Sequence, residues 1–513
     1  MANIVESVTL NFTDLTGSKT GCTKLGSNKF WKGWVEDCGG SANFECRWGP
    51  TGEAGSDKGS KRGVGLAEAR KLLASKVNSK EKKGYTRLLV RDDDEEKAKA
   101  AAKGIDLTTG KKAAPVVAPT TTPKFHPEVG RLLGIIYGEN AKVVTKGLSA
   151  QAGATADNPI GNLSDRQLDI GGSVLDEIEA ELRSTFGHES SSNKGQNLPL
   201  VGGRPNNRII SLTNDYMSNV PREIGRAMRG PSNLHKLVIS SYERLEGQRK
   251  FLQLLRDAHL TQAVFKAAAH QSSTAGKEGV WYDGLGCDID ICEPGSADFK
   301  RVVGIFEKGQ SRKNSNWFRG SQSVLRVARV FKLTRTGTEG AFNAYAAKMA
   351  AKPGAIGKVM AWHGTRTENL LGISKSGLLM PENLPKGVHI SGKAFGKGIY
   401  HAPVTTSLPE VHGAKTDGTN GALKSMNYTS ARGAYYGANN RATGAFMYLQ
   451  EVAMGCGQVT TSACWDQKRP NGWPKNDFIY AAAGGCSTLS HDELVTFDQD
   501  AQMFRYLLEI ETV

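Results

Sequence analysis

The chain has 513 residues, 39% of them apolar and 23% charged, a balance that excludes a disordered or fibrous chain and, at roughly 100 to 200 residues per domain, favours several domains over one. Its 66 lysines and arginines against 51 aspartates and glutamates give a formal charge of +15, which favours an anionic partner, nucleic acid first, without naming it. No apolar run approaches the roughly 18 residues of a membrane span, and the opening MANIVESVTLNFTD lacks a basic-then-apolar leader, so neither membrane insertion nor secretion is expected.

The first element read along the chain is NKFWKGWVEDCGGSANFECRWGPTGEAG, which alternates aromatic and polar residues and predicts two antiparallel strands closing in a Trp-Gly-x-x-Gly turn at Trp48, Gly49 and Gly52. A helix follows in LAEARKLLASKV, with Leu66, Ala69, Leu72, Leu73 and Val77 on one face and Arg70, Lys71 and Lys76 off it, so a small sheet crossed by one helix is expected. From Lys58 to Arg91 eleven basic residues face two acidic ones, the most positive stretch of the chain. The aromatics Phe30, Trp31, Trp34 and Trp48 read equally well as core residues or as a nucleic-acid surface. The eight cysteines form no C-x-x-C, and no histidine pair completes a zinc spacing; they read as reduced thiols, with no metal expected.

Residues 92–122 begin with an acidic run, Asp92 to Glu96, and continue as an Ala/Lys/Thr/Pro mixture without apolar period, the composition of a flexible linker. A helical pattern then occupies 123–273. Ser164 and Gln167 form a capping box with Leu163 and Leu168 as its staple, ahead of Gly171, Leu175, Ile178 and Leu182 at helical steps. A second helix carries Ile209, Leu212, Tyr216 and Val220 and stops at Pro221; a third is expected to run unbroken from Ser232 through Leu234, Leu237, Val238, Leu245, Leu252 and Leu255. Beyond Gly279 the texture becomes α+β: strands are predicted at 299–306 (FKRVVGIF) and 324–333 (VLRVARVFKL), helices at 341–350, 367–376 and 423–433, and no alternation suggests a doubly wound sheet.

Residues 1–91 resemble the WGR domain, a module that binds DNA ends. The resemblance implies that Trp48 stacks near an exposed sugar at a break while Arg70, Lys71 and Lys76 hold phosphates; the arginine that gives the module its name is Pro50 here. Residues 279–513 resemble the catalytic domain of poly(ADP-ribose) polymerases. That match rests on MAWHGTRTENLLGISKSGLLMP, GVHISGKAFGKGIYHAP, ALKSMNYTS and HDELVTFDQDAQMFRYLLEI, in family order. Each residue alone has a bland reading, and only the joint pattern outweighs it.

By that resemblance the substrate is NAD+. His363 and Thr365 bind the adenosine ribose beside Arg366; Gly364 and Ser425 hold the carboxamide; Tyr428 and Tyr400 sandwich the nicotinamide. Glu493 binds the nicotinamide ribose and stabilises the oxocarbenium-like centre, and Lys424 assists chain growth. Leu379 and Lys393 depart from the family pattern at the adenosine end, and residues 409–421 are an insertion. Residues 123–273, with NPIGNLSDRQL, NDYMSNVPREIG and LQLLRDAHL, resemble the regulatory helical domain that precedes this catalytic domain. The expected protein is multidomain: an α+β WGR domain, an all-α regulatory bundle and an α+β ADP-ribosyltransferase domain. Its expected activity is break-activated transfer to proteins, itself included. A mono-ADP-ribosyltransferase and a catalytically silent DNA-end-binding protein remain the alternatives, and a eukaryotic source would place the protein in the nucleus.

Overall fold

The protein is described from a computed structural model, which covers residues 3–16, 26–90, 125–151, 163–190, 192–200, 205–224, 228, 233–269, 274–308, 325–384, 386, 388, 394–404, 435–436, 444–460, 462–465, 467–473, 475–481 and 492–512. The described residues form two compact units. The first takes in residues 1–99, 143–260 and 385–389, the second 100–142, 261–384 and 390–513.

In the first unit an antiparallel sheet is built from β1 (Asn3–Asp14), β2 (Ser27–Asp37), β3 (Ala42–Pro50), β4 (Lys61–Val64) and, after helix α1 (Leu66–Glu81), β5 (Thr86–Leu88), in the order β4-β3-β2-β1-β5. Ala69, Leu73 and Val77, one helical turn apart, lay α1 over Leu10, Trp31, Val35 and Phe44. Gly33 makes room for that core: a Cβ there would stand 2.3 Å from Cη2 of Trp31. The aromatics thus divide, with Phe30 and Trp31 in the core and Trp48 41% exposed.

The chain continues through α2 (Pro127–Gln151), α3 (Asp165–Phe186), α4 (Asn207–Asn219), α5 (Leu234–Leu237) and α6 (Tyr242–Ala269). Ser164 caps α3 by accepting from the Gln167 N–H at 3.2 Å, and Leu163 and Leu168 are both fully buried, as the staple requires. The capping box is only half made. The Gln167 side chain accepts from the Leu89 N–H instead and donates to the Asn219 carbonyl, so the glutamine serves strand β5 and the end of α4. The helix expected to run unbroken from Ser232 is interrupted at 238–241. There Ile239 N–H donates to the hydroxyl of Thr213 on α4, 26 residues away, and the Ser241 hydroxyl accepts from Arg244 N–H, side chains that draw backbone groups off the helical ladder and start a new helix.

The sheet and the helices of this unit meet along a polar seam. The side-chain nitrogen of Asn11, fully buried on β1, donates to the carbonyls of Met217 and Ser218 (3.2 and 3.4 Å), two of the four carbonyls that α4 leaves unpaired at its C-terminus; Thr51 donates back to the Asn11 oxygen. Thr13 N–H donates to the Ser218 hydroxyl, Leu15 N–H to the Asn214 carboxamide, and Asn28 Nδ2 to the Arg222 carbonyl.

The second unit runs α7 (Thr274–Gly284), β6 (Asp288–Ile291), α8 (Ala297–Lys308), β7 (Leu325–Thr334), α9 (Thr336–Ala350), β8 (Gly357–Gly364), α10 (Leu370–Ser376), β9 (Ile399–Pro403), β10 (Tyr435–Tyr436), β11 (Gly444–Met454), β12 (Cys456–Thr460), β13 (Asn476–Ala481), β14 (Glu493–Thr496) and β15 (Gln502–Thr512). Its sheet has the order β12-β13-β14-β9-β8-β11-β15-β7-β6, with β10 on β11, and every pairing except β12 with β13 is antiparallel. The strand expected at 299–306 is a correction: those residues are helix α8. Ser296 caps it by accepting from Phe299 N–H, and Val302 and Phe306, four apart, are both fully buried, so helical packing overrides the β-branched composition. The strand at 324–333 forms as β7, and the helix expected at 341–350 starts earlier, at Thr336. The helix expected at 423–433 lies outside the described residues. No described helix is long and apolar enough to cross a membrane.

Replacing Asn11 with Ala strands the two α4 carbonyls and the Thr51 hydroxyl in a dry seam. The expected cost is about 2–4 kcal/mol, read as a lower denaturant midpoint of the first unit with faster amide exchange at Val220.

Candidate active site

Strands β14, β9 and β8 are consecutive neighbours in the second sheet and carry Glu493, Tyr400 and His363 respectively. Val495 is the cross-strand partner of Tyr400, and Glu493 lies two residues before Val495, so Tyr400 and Glu493 share a face as diagonal neighbours. Glu493 is half-buried and begins its strand opposite Ala481. The preceding residue is pinned: Asp492 is buried and accepts from the Tyr480 hydroxyl. Asp492 escaped the sequence reading, although its only signal, an acidic residue beside the expected glutamate, was on view.

The β8–β9 ladder ends at Trp362 and Ala402. One residue on, the Tyr400 carbonyl is taken up by a side chain, with His363 Nδ1 at 3.1 Å. A carbonyl only accepts, so Nδ1 carries the proton and the neutral ring presents Nε2 as an acceptor. Burial lowers the His363 pKa below its ordinary value, and the bond to Tyr400 only partly offsets this. Tyr400 itself is locked at both ends. Its hydroxyl accepts from Phe395 N–H (2.8 Å) and donates to the Gly396 carbonyl (2.9 Å), which fastens the F-G-K-G turn to β9. Gly396 sits at φ +98°, where a Cβ would stand 2.7 Å from the Gln467 carbonyl, so glycine is required.

Gly364 is buried at the end of β8, and Thr365, also buried, accepts from Asn369 Nδ2 at 3.2 Å. Arg366 is half-buried and leads into the 3₁₀ turn Thr367–Asn369. Leu379 is half-buried; Lys424, Ser425, Tyr428 and Lys393 lie outside the described residues, as does 409–421.

On the first unit Trp48 donates its indole N–H to the Lys58 carbonyl at 3.0 Å, and Lys80 stands 5.9 Å over its ring and 5.0 Å over that of Tyr85. The Lys80 pKa is lowered, first by burial and then by the charges of Lys83, Lys29 and Lys76. Of the expected phosphate-binding residues, the structure therefore groups Lys76 with this aromatic and lysine cluster. Arg70 faces Glu6 at 3.8 Å, and Lys71 is exposed. Lys80 and Lys29 were missed, although Lys76, Lys80 and Lys83 recur at helical steps of four and three.

A mainly antiparallel sheet thus sets a histidine, a tyrosine and a glutamate on three neighbouring strands. Known protein families match along most of the chain. Residues 296–512 match the family model of the poly(ADP-ribose) polymerase catalytic domain, 123–278 that of the poly(ADP-ribose) polymerase regulatory domain, and 6–92 the WGR domain. The chain belongs to the poly(ADP-ribose) polymerase family and carries a WGR domain.

Among curated relatives, it is 22% identical to poly [ADP-ribose] polymerase 2-A of Oryza sativa subsp. japonica, over 94% of this chain and 68% of the relative. It is 24% identical to poly [ADP-ribose] polymerase 1 of Gallus gallus, over 50% of this chain and 22% of that protein. It is also 24% identical to protein mono-ADP-ribosyltransferase PARP3 of Gallus gallus, over 66% of this chain and 50% of the relative. The chain thus spans only about a fifth of the Gallus gallus polymerase 1.

Tyr400→Phe leaves Phe395 N–H and the Gly396 carbonyl without their partner. Thermal unfolding of the full chain is expected to show a loss of about 1–3 kcal/mol, with the F-G-K-G turn exchanging its amides faster.

Proposed function

We propose that the protein transfers ADP-ribose from NAD+ to protein acceptors, itself included, extends it into polymer with release of nicotinamide, and is switched on by broken DNA or nicks. The observation that supports the reading is the placement of His363, Tyr400 and Glu493 on the neighbouring strands β8, β9 and β14, within the residues matched by the catalytic family model. In this reading residues 1–91 bind DNA, 92–122 link, 123–273 regulate and 279–513 catalyse.

The chemistry follows from the groups present. Nicotinamide leaves with the electron pair of its glycosidic bond, so the site must hold the leaving amide and stabilise a cationic ribose. Gly364 and Ser425 hold the amide, Tyr400 and Tyr428 stack on the ring, and His363 accepts a ribose hydroxyl through Nε2 beside Thr365 and Arg366. Glu493 offers the carboxylate that stabilises the cation and takes the proton from the acceptor hydroxyl as the new C–O bond forms. Lys424 positions the acceptor chain.

The DNA partner is supported by the crowded lysines around Trp48. Four amines with like charge on one surface favour a polyanion, and the exposed ring of Trp48 suits an unpaired nucleotide at a break. Arg70 and Lys71 are kept as contacts to the flanking backbone. In a eukaryotic cell this partner places the protein in the nucleus.

Mono-ADP-ribosyl transfer is a second reading, supported by the relative named as a mono-ADP-ribosyltransferase at a level of identity equal to that of the Gallus gallus polymerase. Labelled NAD+ with and without DNA carrying a 5′-phosphorylated break separates the readings. A DNA-dependent ladder that Glu493→Gln reduces to single units or nothing is expected. Single units from the wild type would favour the second reading, and equal incorporation without DNA would remove the switch.

Two further outcomes are expected. Because the folded His363 titrates below its ordinary pKa of 6.5, kcat/KM for NAD+ should persist as pH falls through 6.5 and decline only below it, where Nε2 gains a proton and stops accepting; a pH profile reads this directly. Lys80→Ala should lower the slope of log affinity for DNA against log salt by about 1, measured by fluorescence anisotropy.

A further inference from the structure

The strongest unexplained feature is a second histidine next to the site, His401 on β9. It is 3% exposed and lies within a run of polar side chains buried in the sheet. Gln450 Nε2 stands 2.5 Å from His401 Nδ1, His401 Nε2 3.0 Å from Thr496 Oγ1, and Thr496 Oγ1 2.8 Å from Gln502 Oε1. Gln502 Nε2 in turn donates to the carbonyls of Gln499 and Asp498 at 2.7 and 3.3 Å.

The direction of every bond follows from its far end. Gln502 spends its amide hydrogens on two carbonyls, so its oxygen faces Thr496 and needs a donor; the Thr496 hydroxyl supplies that hydrogen and must itself accept from His401 Nε2–H. His401 Nδ1 is then bare and accepts from Gln450. The histidine is held neutral, in one tautomer, and burial together with the neighbouring His363 keeps its pKa well below the ordinary value.

The path crosses the strands that build the site. Gln450 is on β11 and His401 on β9, with β8 between them; level with Gln450, β8 presents the small Ala361, whose cross-strand partners are Gln450 on one side and Pro403 on the other. That small side chain lets the amide reach over. His401 is paired across β9 and β14 with Leu494, the residue after Glu493, and its own neighbour Tyr400 supplies the carbonyl held by His363.

We propose that His401 is a positioning residue: tied to Gln450 and Thr496, it fixes β9 relative to β8 and β14, and thereby sets the Tyr400 carbonyl that orients His363 toward NAD+. The proposal rests on the NAD+ reading above, and its test has a readout that does not need turnover. Three full-length variants are compared. His401→Phe keeps the bulk and removes both bonds; His401→Gln keeps an amide N–H for Thr496; Thr496→Val removes one hydroxyl at nearly constant shape.

With break-bearing DNA present, the KM for NAD+ is expected to rise on the order of tenfold in His401→Phe and Thr496→Val and less in His401→Gln, with kcat little changed. A mere core filler predicts the reverse order, with phenylalanine at least as good as glutamine. In parallel, long-range 1H–15N spectra of 15N-histidine-labelled protein report each ring's tautomer. In the wild type one ring is expected to stay Nε2–H without titrating as pH falls through the ordinary histidine value of 6.5, and to vanish in both His401 variants. The Nδ1–H signal of His363 should become a tautomer mixture in His401→Phe and Thr496→Val. An inactive wild type that still shows these spectra would refute the NAD+ reading and leave the positioning of His363 standing. A His401 ring that titrates near its ordinary pKa, or a His363 tautomer indifferent to both variants, would overturn the positioning role.

Discussion

The catalytic sheet depends on the two-residue alternation of β9 and β14, strands of five and four residues. In the observed register Tyr400 and Glu493 lie on one face and His401 and Thr496 on the other. A slip by one residue would exchange the two sets, turning the tyrosine and glutamate away and bringing the inner histidine and threonine in their place. Strands this short make few main-chain bonds with which to resist a slip. The buried polar chain supplies the missing discrimination, because its donors and acceptors match in one register only and a mismatch would leave several of them unpaired in the interior. One cost remains visible even in the native register: the Gln450 oxygen is buried with no hydrogen-bond partner among the described residues.

The first unit solves a related problem at a helix end. Helix α4 must stop before Pro221, and its last carbonyls point into the protein, where water cannot satisfy them. Asn11 from β1 takes two of them, and Gln167 from α3 takes that of Asn219. The sheet is therefore fastened to the helices by the terminus of one helix as well as by the apolar core in which Leu15 and Leu88 join the helical leucines. Since Thr51, beside the Trp48 turn, donates to the same Asn11 side chain, the turn and the helix end share a single buried amide.

Much of this was legible from residue spacing. The face of α1, the Ser164 cap, the stop at Pro221 and strand β7 follow from local rules, and the order of motifs around His363, Tyr400 and Glu493 was enough to propose the site. What escaped was set by contacts distant in sequence. Residues 299–306 carry strand-like composition, yet the Ser296 cap and the four-residue spacing of Val302 and Phe306 make them helical. Gln167 fits a capping box locally but is drawn away by β5 and α4. His401 looks like any polar residue after a tyrosine, and only the fold reveals Gln450 on one side of it and Thr496 on the other.

The two polar clusters are opposite in kind, and the difference bears on what each is for. Around His401 every ring nitrogen is satisfied from within the protein, so the group is neutral and asks for no ligand. Around Lys80 the amine is partly buried over Trp48 and Tyr85 while Lys83, Lys29 and Lys76 push against it. That crowding depresses its pKa in the free protein and is relieved when an anion enters among the four amines, since an opposite charge favours the protonated form that burial and like charges disfavour. The repulsion is thus a standing bias toward a polyanionic partner. It acts on the surface that carries the exposed Trp48, and the turn beyond that tryptophan leads through Thr51 and Asn11 to the end of α4.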